Sequence, residues 1–381
     1  MIPVALNLQN KNVLIVGGGK VALRQAQKFL QQQACVTVVS PDFLDDFKAL
    51  DLSLKKDFYQ QNYLENMFLV YSATSSPQVN HQVVIDCNLR NILCGSATKD
   101  ENASFYGMSY QQNDVGMVAY SSHQQFPYVK PLLNELMTVV EKNRSRLQLL
   151  AWLRPYVLQL ENDHKDIFGA LFAAPLELLQ FLADSLTCGH GVVIVYHHNK
   201  FDNSYHFEIE PVIYLSIEEF HQYQHLLMFD VTYICFPLAL ADGIIYRRMI
   251  SQLSSKIINA GAVIQSECDI AELSQLLKSE RQPVWILHDR RDSWLKDMLR
   301  RYCPQALIYD FNDKISLEMD QGYELRVLIL GHGKHYRDYQ LLVKQYYQAG
   351  YDIVFAGNLL DCPAVKTYLT MRIKALIDQK A

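Results

Sequence analysis

The sequence has no run of the roughly 18 apolar residues that a membrane-spanning helix requires, although 50% of its residues are hydrophobic. It does not begin with a basic region followed by a long apolar run, so we expect a cytoplasmic protein without membrane contact. An excess of positive charge is also missing, since the net charge is -5 and the isoelectric point is about 6.2. Nucleic acid is therefore not an expected partner.

Closely spaced cysteines are absent as well. The eight cysteines are scattered and contain no C-x-x-C pair, which favours buried free thiols over disulfides or a cysteine metal cluster. The length of 381 residues is sufficient for two or three domains of ordinary globular composition.

The most informative stretch is 13–24. A β-branched apolar segment breaks at three glycines and continues into a helix-forming segment, and Gly17, Gly19 and Ala22 fit the G-x-G-x-x-G/A spacing. In that motif the glycines permit a tight turn and a close backbone approach to a pyrophosphate, which the free N–H groups of the helix bind. A second strand at 36–39 follows at βαβ distance, so we predict dinucleotide binding.

No acidic residue stands directly at the end of the second strand, where Ser40, Pro41 and Asp42 follow. No arginine is there either to hold a 2′-phosphate, so NAD is favoured over NADP. Beyond it, apolar runs alternate with helix-forming segments, which predicts an α/β fold with a parallel sheet that binds ligands at the carboxyl ends of its strands. The predicted elements are strands at 67–71, 92–94 and 115–120, a helix at 78–89, and a mostly helical stretch at 130–160 broken by Pro155.

The order of these pieces resembles the precorrin-2 dehydrogenase domain of siroheme synthases over residues 1–180. The matching segments are 13–24, 36–41, Ala73-Thr74 with Val79-Asn80, 103–105, and 119–122 with Pro127 and Leu132-Leu133. The resemblance implies NAD-dependent oxidation of precorrin-2 to sirohydrochlorin, and a homodimer built by the segment after the Rossmann unit. It assigns cofactor binding to Gly17, Gly18, Gly19, Lys20, Val21, Pro41, Asp42 and Thr74.

The sequence departs from this family where an acid or base is expected. The family's aspartate falls on Thr98, with Asp100 two residues later, and its substrate-facing Gly-Gly-Thr-Ser-Pro turn is replaced at 123–127. Dehydrogenation needs a group that takes a proton, and we assign this role to Asp100 or His123. The alternative for Asp100 is a solvated turn residue, because loop aspartates are common in turns.

The second half contains a pattern that occurs twice. A polar, glycine-bearing stretch at 184–191 predicts a linker, and corresponding histidines and glycines follow it at nearly constant offsets. The pairs, separated by 91, 90 and 89 residues, are His197 and His288, Gly243 and Gly333, and Gly261 and Gly350. Such a period is too long for a solenoid unit, so we predict two duplicated α/β lobes that face each other across a cleft.

Lobes with a histidine after the first strand and a Gly-x-His turn before a helix resemble the class II chelatases that insert cobalt or iron into sirohydrochlorin. In the second lobe, His288 and His335 preserve the pair, and we assign metal binding and proton acceptance to them. His332 and His197 are the next candidates for these roles. A neutral imidazole can hold a divalent metal and accept pyrrole protons. The first lobe has Ile245 at the Gly-x-His position. The alternative is a strand-to-helix turn with exposed histidines.

These features predict an α/β protein with a Rossmann domain (1–112), a dimerisation and helical segment (113–185) and a chelatase-like domain of two lobes (190–281 and 282–381). We expect a bifunctional enzyme of siroheme biosynthesis that oxidises precorrin-2 with NAD and then inserts Fe²⁺ or Co²⁺, with fusion raising the effective concentration of the intermediate. Two alternatives stay open. Ile245 suggests a dehydrogenase with a degenerate chelatase-like half, and Thr98 suggests a non-catalytic sensor of NAD and a tetrapyrrole.

Overall fold

The chain divides into two units, residues 1–141 and 142–381. The structure is a computed structural model, and it describes residues 2–98, 100–121, 129–160, 164–196, 206–240, 244–251, 253–287, 293–311, 313–328, 330 and 334–379. The predicted dimerisation and helical segment, 113–185, is shared between the two units, because the division falls after residue 141.

The first unit alternates strands and helices and ends in a hairpin and a helix. Its elements are β1 (Asn12–Val16), α1 (Lys20–Gln31), β2 (Cys35–Ser40), β3 (Ser53–Lys56), β4 (Leu69–Ser72), α2 (Pro77–Asn88), β5 (Leu93–Ser96), β6 (Ser109–Gln112), β7 (Met117–Tyr120) and α3 (Lys130–Lys142).

The first unit is built on a five-stranded parallel sheet with the order β3-β2-β1-β4-β5. Alternate residues of β1 enter separate cores, with Val13 and Ile15 on one face and Leu14 and Val16 on the other, as expected for a sheet covered on both faces. The strand order reverses between β1 and β4, and such a reversal opens a crevice for ligands at the carboxyl edge.

Two features of the first unit differ from the sequence prediction. The strand predicted at 115–120 is β7, and it pairs antiparallel with β6 in a separate two-stranded ribbon. The edge strand β3 was not predicted, because all four of its residues are exposed and carry no apolar pattern. Strand pairing beside β2, and not burial, therefore defines β3.

The second unit begins with three helices and continues through two α/β segments. Its elements are α4 (Arg144–Val157), α5 (His164–Ala173), α6 (Leu176–Cys188), β8 (His190–Tyr196), β9 (Val212–Ser216), α7 (Ile217–Tyr223), β10 (Thr232–Pro237), α8 (Ile244–Met249), β11 (Ile257–Asn259), α9 (Glu267–Leu276), β12 (Gln282–Leu287), α10 (Ser293–Tyr302), β13 (Leu307–Asp310), β14 (Tyr323–Leu328), α11 (Lys334–Gln348), β15 (Ile353–Phe355) and α12 (Pro363–Asp378).

The two sheets of the second unit share one topology. Their orders are β11-β10-β8-β9 and β13-β12-β14-β15, and every pair in both is parallel. Counted along the chain, the first strand of each sheet lies between the second and the third strands, and the fourth strand lies at the edge beside the third. The equal order agrees with the spacing of the repeated sequence pattern.

One hydrophobic core joins both sheets. Ile194 and Phe236 from the first sheet belong to the same buried cluster as Trp285 and Leu328 from the second. Along β8 and β12, the residues next to Ile194 and Trp285 face other clusters. Val193 packs with the helices α4 to α6, and Ile286 packs with α11. Burial of both faces explains why β8 and β12 are nearly continuous apolar runs.

The helical region at 130–160 is broken elsewhere than predicted. Pro155 lies inside α4, near its carboxyl end, whereas α3 and α4 are separated at Asn143. The preceding turn loses one hydrogen bond to the proline, and a helix tolerates this best near a terminus. Among the described helices, none has the length and apolar character that crossing a bilayer demands.

Asp269 connects α9 with α12. Its Oδ2 accepts hydrogen bonds from the backbone N–H groups of Gln265 and Ser266, each at 2.9 Å, and its Oδ1 accepts one from the Tyr368 hydroxyl at 2.9 Å. The Arg372 guanidinium lies 3.6 Å from Oδ1. Burial alone would raise the pKa of the Asp269 carboxyl, but these hydrogen bonds and the Arg372 charge lower it.

We expect Asp269→Asn to lower the free energy of unfolding by about 2 kcal/mol near neutral pH, because it weakens charge-assisted hydrogen bonds to two elements. Since the folded-state pKa is depressed, this stabilisation is complete above the unfolded pKa of about 3.9 and is lost as the pH falls through the folded value. Urea unfolding at several pH values measures it.

The matched control is Asp297→Asn on α10, whose carboxylate is 67% exposed and 3.9 Å from Arg300. Its effect should stay within about 0.5 kcal/mol. Equal stability of Asp269→Asn and the parent near neutral pH contradicts the prediction.

Candidate functional site

The turn after β1 is shaped by backbone contacts that exclude side chains. Gly17 has a φ of +123°, and its N–H donates to the Val39 carbonyl at 2.8 Å. A Cβ at Gly17 would lie 2.4 Å from the Ala73 carbonyl oxygen. The turn is therefore pressed against the carboxyl end of β4, and glycine is required there on both steric and conformational grounds.

Gly18 lies against the loop that follows β2. A Cβ at this position would lie 2.0 Å from the Asp42 carbonyl oxygen, and the Gly18 carbonyl accepts a hydrogen bond from the Leu44 N–H at 3.1 Å. These contacts hold the loop containing Pro41 and Asp42 beside the glycine turn. Both of those residues are exposed.

Gly19 and the start of α1 are open. Among the residues that the structure describes, no atom lies within 4 Å of a Cβ built on Gly19. The helix α1 has neither a side-chain cap nor an acidic residue in its first turn. Lys20 and Val21 are exposed, whereas Ala22 is buried and seats the helix on the sheet. Uncapped N–H groups at a positive helix terminus are an anion site, so the residues present fit a dinucleotide pyrophosphate.

Lys56 on β3 adds a cation that the sequence analysis did not weigh. Its Nζ lies 3.7 Å from the Asp42 carboxylate, and both side chains are exposed. The sequence has no arginine after β2, but β3 pairs with β2 and brings Lys56 to that edge. The edge beside β2 therefore carries a carboxylate and an ammonium group side by side.

Thr74 follows β4 and is held by Asn80. The fully buried Asn80 amide accepts from the N–H and the hydroxyl of Thr74, each at 2.9 Å, and donates to the Thr74 carbonyl at 3.1 Å. Ser76 caps α2 by accepting from the Val79 N–H. These bonds fix the turn that packs against Gly17 and the direction in which α2 leaves the sheet.

Asp100 pairs with a histidine that sequence analysis missed. Its Oδ2 lies 2.6 Å from Nδ1 of His81 on α2, and its Oδ1 accepts from the Asn102 N–H at 2.9 Å. The hydrogen bond from Asn102, with that from His81, holds the pKa of the Asp100 carboxyl below its usual value. Thr98 bonds instead to Ser96, with 2.9 Å between the hydroxyl oxygens.

His81 carried no sequence signal of its own, because it stands alone on a helix and its partner is 19 residues away. A histidine in the first turns of a helix that starts at the carboxyl edge of a parallel sheet was the available clue. The other predicted proton acceptor, His123, lies outside the described residues.

The predicted metal ligands are only partly covered. His288, His332 and His197 lie outside the described residues, and of His335 the backbone is described, as the second residue of α11. Ile245 is likewise the second residue of α8, the helix that follows the equivalent strand of the first sheet. Within the described part, no three His, Cys, Asp or Glu side chains are grouped as metal ligands.

Comparisons with known proteins agree with the geometry of the first unit. Residues 4–109 match a family described as "Putative NAD(P)-binding". Siroheme synthase 2 of Pectobacterium atrosepticum is 33% identical over 155 residues, which is 39% of this chain and 34% of that protein. Siroheme synthase of Photorhabdus laumondii is 32% identical over 138 residues, which is 35% of this chain and 29% of that protein.

The chain thus spans about a third of the length of the curated relatives that it matches. A solved structure named "SirC, precorrin-2 dehydrogenase" is 22% identical, with a TM-score of 0.34, and the match covers 48% of this chain and 97% of that chain. The family match and the parallel sheet confirm the predicted α/β fold with an NAD(P)-binding, Rossmann-like domain at the start of the chain.

We expect Gly19→Ala to fold like the parent and to bind NADH at least about tenfold more weakly, because the new methyl group projects into the open anion site. The matched control is Gly107→Ala, since a Cβ there also has no atom of a described residue within 4 Å. Fluorescence titration with NADH measures the affinity, and thermal unfolding checks the fold. Unchanged NADH affinity in Gly19→Ala contradicts the assignment.

Proposed function

We propose that the first unit oxidises precorrin-2 to sirohydrochlorin with NAD as the hydride acceptor. The observation that carries the proposal is the open, uncapped start of α1 beside Gly19, at the edge where the strand order reverses. Matched relatives bear the name siroheme synthase, and precorrin-2 oxidation is the dehydrogenase reaction that the sequence resemblance implies.

We assign the two halves of the dinucleotide to opposite sides of Gly19, and the strand order supports this assignment. Across a reversal point one mononucleotide half lies on each side, so the adenosine half goes to the β2 and β3 side, near Asp42. The nicotinamide half goes to the β4 and β5 side, near Thr74 and Asp100. When bound, NAD supplies a two-electron acceptor for a hydride from the substrate.

The residues of the chain then have three tasks. Gly17 and Gly18 hold the turn in place, and Gly19 with Lys20 and Val21 binds the pyrophosphate. Asp42 accepts hydrogen bonds from the ribose hydroxyls, and its negative charge disfavours a 2′-phosphate, which supports NAD as the cofactor even with Lys56 at 3.7 Å.

The purified chain is expected to form NADH from NAD⁺ and precorrin-2, and to do so faster with NAD⁺ than with NADP⁺. NADH absorbance and sirohydrochlorin formation are measured together, with Gly19→Ala as the weakened variant and Gly107→Ala as its control. NAD⁺ binding without turnover would overturn the proposal and favour the non-catalytic sensor.

A second proposed activity is insertion of Fe²⁺ or Co²⁺ into sirohydrochlorin by the second unit. The supporting observation is the equal strand order of the two sheets. In the second sheet β12 and β14 are neighbours and end in register, with Leu287 opposite Leu328. His288 follows Leu287 directly in the sequence, and His335 is the second residue of the helix after β14, which supports a joint role for the two histidines.

We expect His335→Ala to lower the rate of sirohydrochlorin metallation by at least about 100-fold, because a metal ligand and proton acceptor is lost. Absorbance spectra after addition of Co²⁺ or Fe²⁺ measure it. His225→Ala, a change at an exposed histidine of the first lobe, is the control. Equal rates for His335→Ala and the parent would favour the degenerate chelatase-like half.

We also propose that the chain is a homodimer through β7 and α3 of the first unit. Met117 on β7 and Val139 on α3 are 53% and 56% exposed, and Leu132 and Leu136 on α3 are each 38% exposed. Apolar side chains grouped on a hairpin and a helix mark an interaction surface. Sedimentation velocity should show a dimer, and a monomer at micromolar concentration would contradict it.

A further inference from the structure

The pair of His81 and Asp100 combines a carboxylate that is largely covered by its neighbours with an accessible imidazole. The Asp100 side chain is 9% exposed, whereas that of His81 is 53% exposed. The 2.6 Å contact uses Nδ1 of the ring. Among the described residues Nε2 has no hydrogen-bond partner, so one nitrogen is held and the other is available.

Asp100 is held through both its side chain and its backbone. Asn102 donates its N–H to Oδ1 at 2.9 Å, and His81 contacts Oδ2, so each carboxylate oxygen has a partner. The Tyr106 hydroxyl and the Ala103 N–H donate to the Asp100 carbonyl at 2.8 and 3.0 Å and hold the turn that carries the side chain. The carboxylate is thereby placed to orient the neighbouring imidazole.

The pair stands on the side of the site where the nicotinamide half is expected. Asp100 follows β5, which pairs with β4 up to Ser72 and Ser96. His81 follows Asn80, whose amide holds Thr74 in the turn that packs on Gly17. The same edge carries Thr98, a neutral residue already bonded to Ser96, where the resembling family has a carboxylate.

We propose that His81 accepts the proton released when the tetrapyrrole is oxidised, and that Asp100 is the positioning residue that orients its ring. The inference rests on the proposed dehydrogenase function and names the group that this function leaves open. With Asp100 accepting from Nδ1–H, the neutral ring presents the Nε2 lone pair to the substrate.

The electron balance is that of a dehydrogenation. One C–H bond of the substrate breaks, and its electron pair leaves with hydrogen as hydride, which reduces NAD⁺ to NADH. A neighbouring N–H or C–H bond gives its proton to Nε2 of His81, and the electron pair of that bond stays on the ring system as a new double bond. The protonated imidazole is stabilised by the Asp100 carboxylate and returns the proton to water.

Kinetics of NADH formation provide the first test. His81→Gln is expected to lower kcat about 100-fold, the typical contribution of a positioned base, with the Kd for NAD⁺ within about twofold of the parent. Added imidazole should restore activity to His81→Ala, and Asp100→Asn should lower kcat as well. The matched control is Asn88→Ala, which removes a different bond between α2 and the same loop, from Asn88 Nδ2 to the Asn102 carbonyl at 2.9 Å.

The ring tautomer in the NAD-free protein provides the second test. Nitrogen NMR of labelled histidine should show the Nδ1–H tautomer for His81 in the parent and its loss in Asp100→Ala. An Nε2–H tautomer in the parent overturns the inference. The inference is also overturned if the parent is active and the kcat of His81→Gln stays within about threefold of it. That result would leave the proposed dehydrogenase function intact. A parent that forms no NADH from precorrin-2 overturns both.

Discussion

The first unit depends on two backbone contacts that only glycine permits. A side chain at Gly17 would meet the Ala73 carbonyl, and one at Gly18 would meet the Asp42 carbonyl. These contacts join the ends of β1, β2 and β4 into one edge. As a result the start of α1, the loop with Asp42 and the turn with Thr74 are brought together, and no side chain of the described part of the chain fills the space above Gly19. The open space is thus a consequence of close packing beneath it.

The second unit is organised by a different constraint, a core shared by two sheets. Trp285 and Leu287 of β12 and Ile194 of β8 belong to one buried cluster, so neither sheet could be removed without exposing apolar surface of the other. Arg326 is buried beside this arrangement, where it donates to the Asn358 carbonyl at 2.9 Å and pairs with Glu324 at 3.2 Å. The two sheets therefore belong to one folded body, while the helices that follow their third strands differ in sequence, with Ile245 in one and His335 in the other.

Strong local patterns predicted most of the fold, and pairings between distant residues were not predictable. The glycine turn, β1, β2 and β8 follow from buried, β-branched runs. The repeated spacing predicted two similar lobes, and the two sheets of the second unit have the same strand order. By contrast, β3 is exposed and exists because it pairs with β2. The break at Asn143 in place of Pro155 shows that a proline near a helix end is tolerated. For the site, the family pattern was sufficient to propose Asp100, but His81 required the packing of α2 beside the loop after β5.

The most direct measurement of the central claim is an amide NMR titration of the full chain with NAD⁺. If the uncapped start of α1 holds the pyrophosphate, the N–H resonances of Gly19, Lys20 and Val21 will shift in a saturable manner, and that of Gly107 will not. The account would be contradicted if NAD⁺ left the resonances at the start of α1 unchanged, or if the saturable shifts were confined to the second unit.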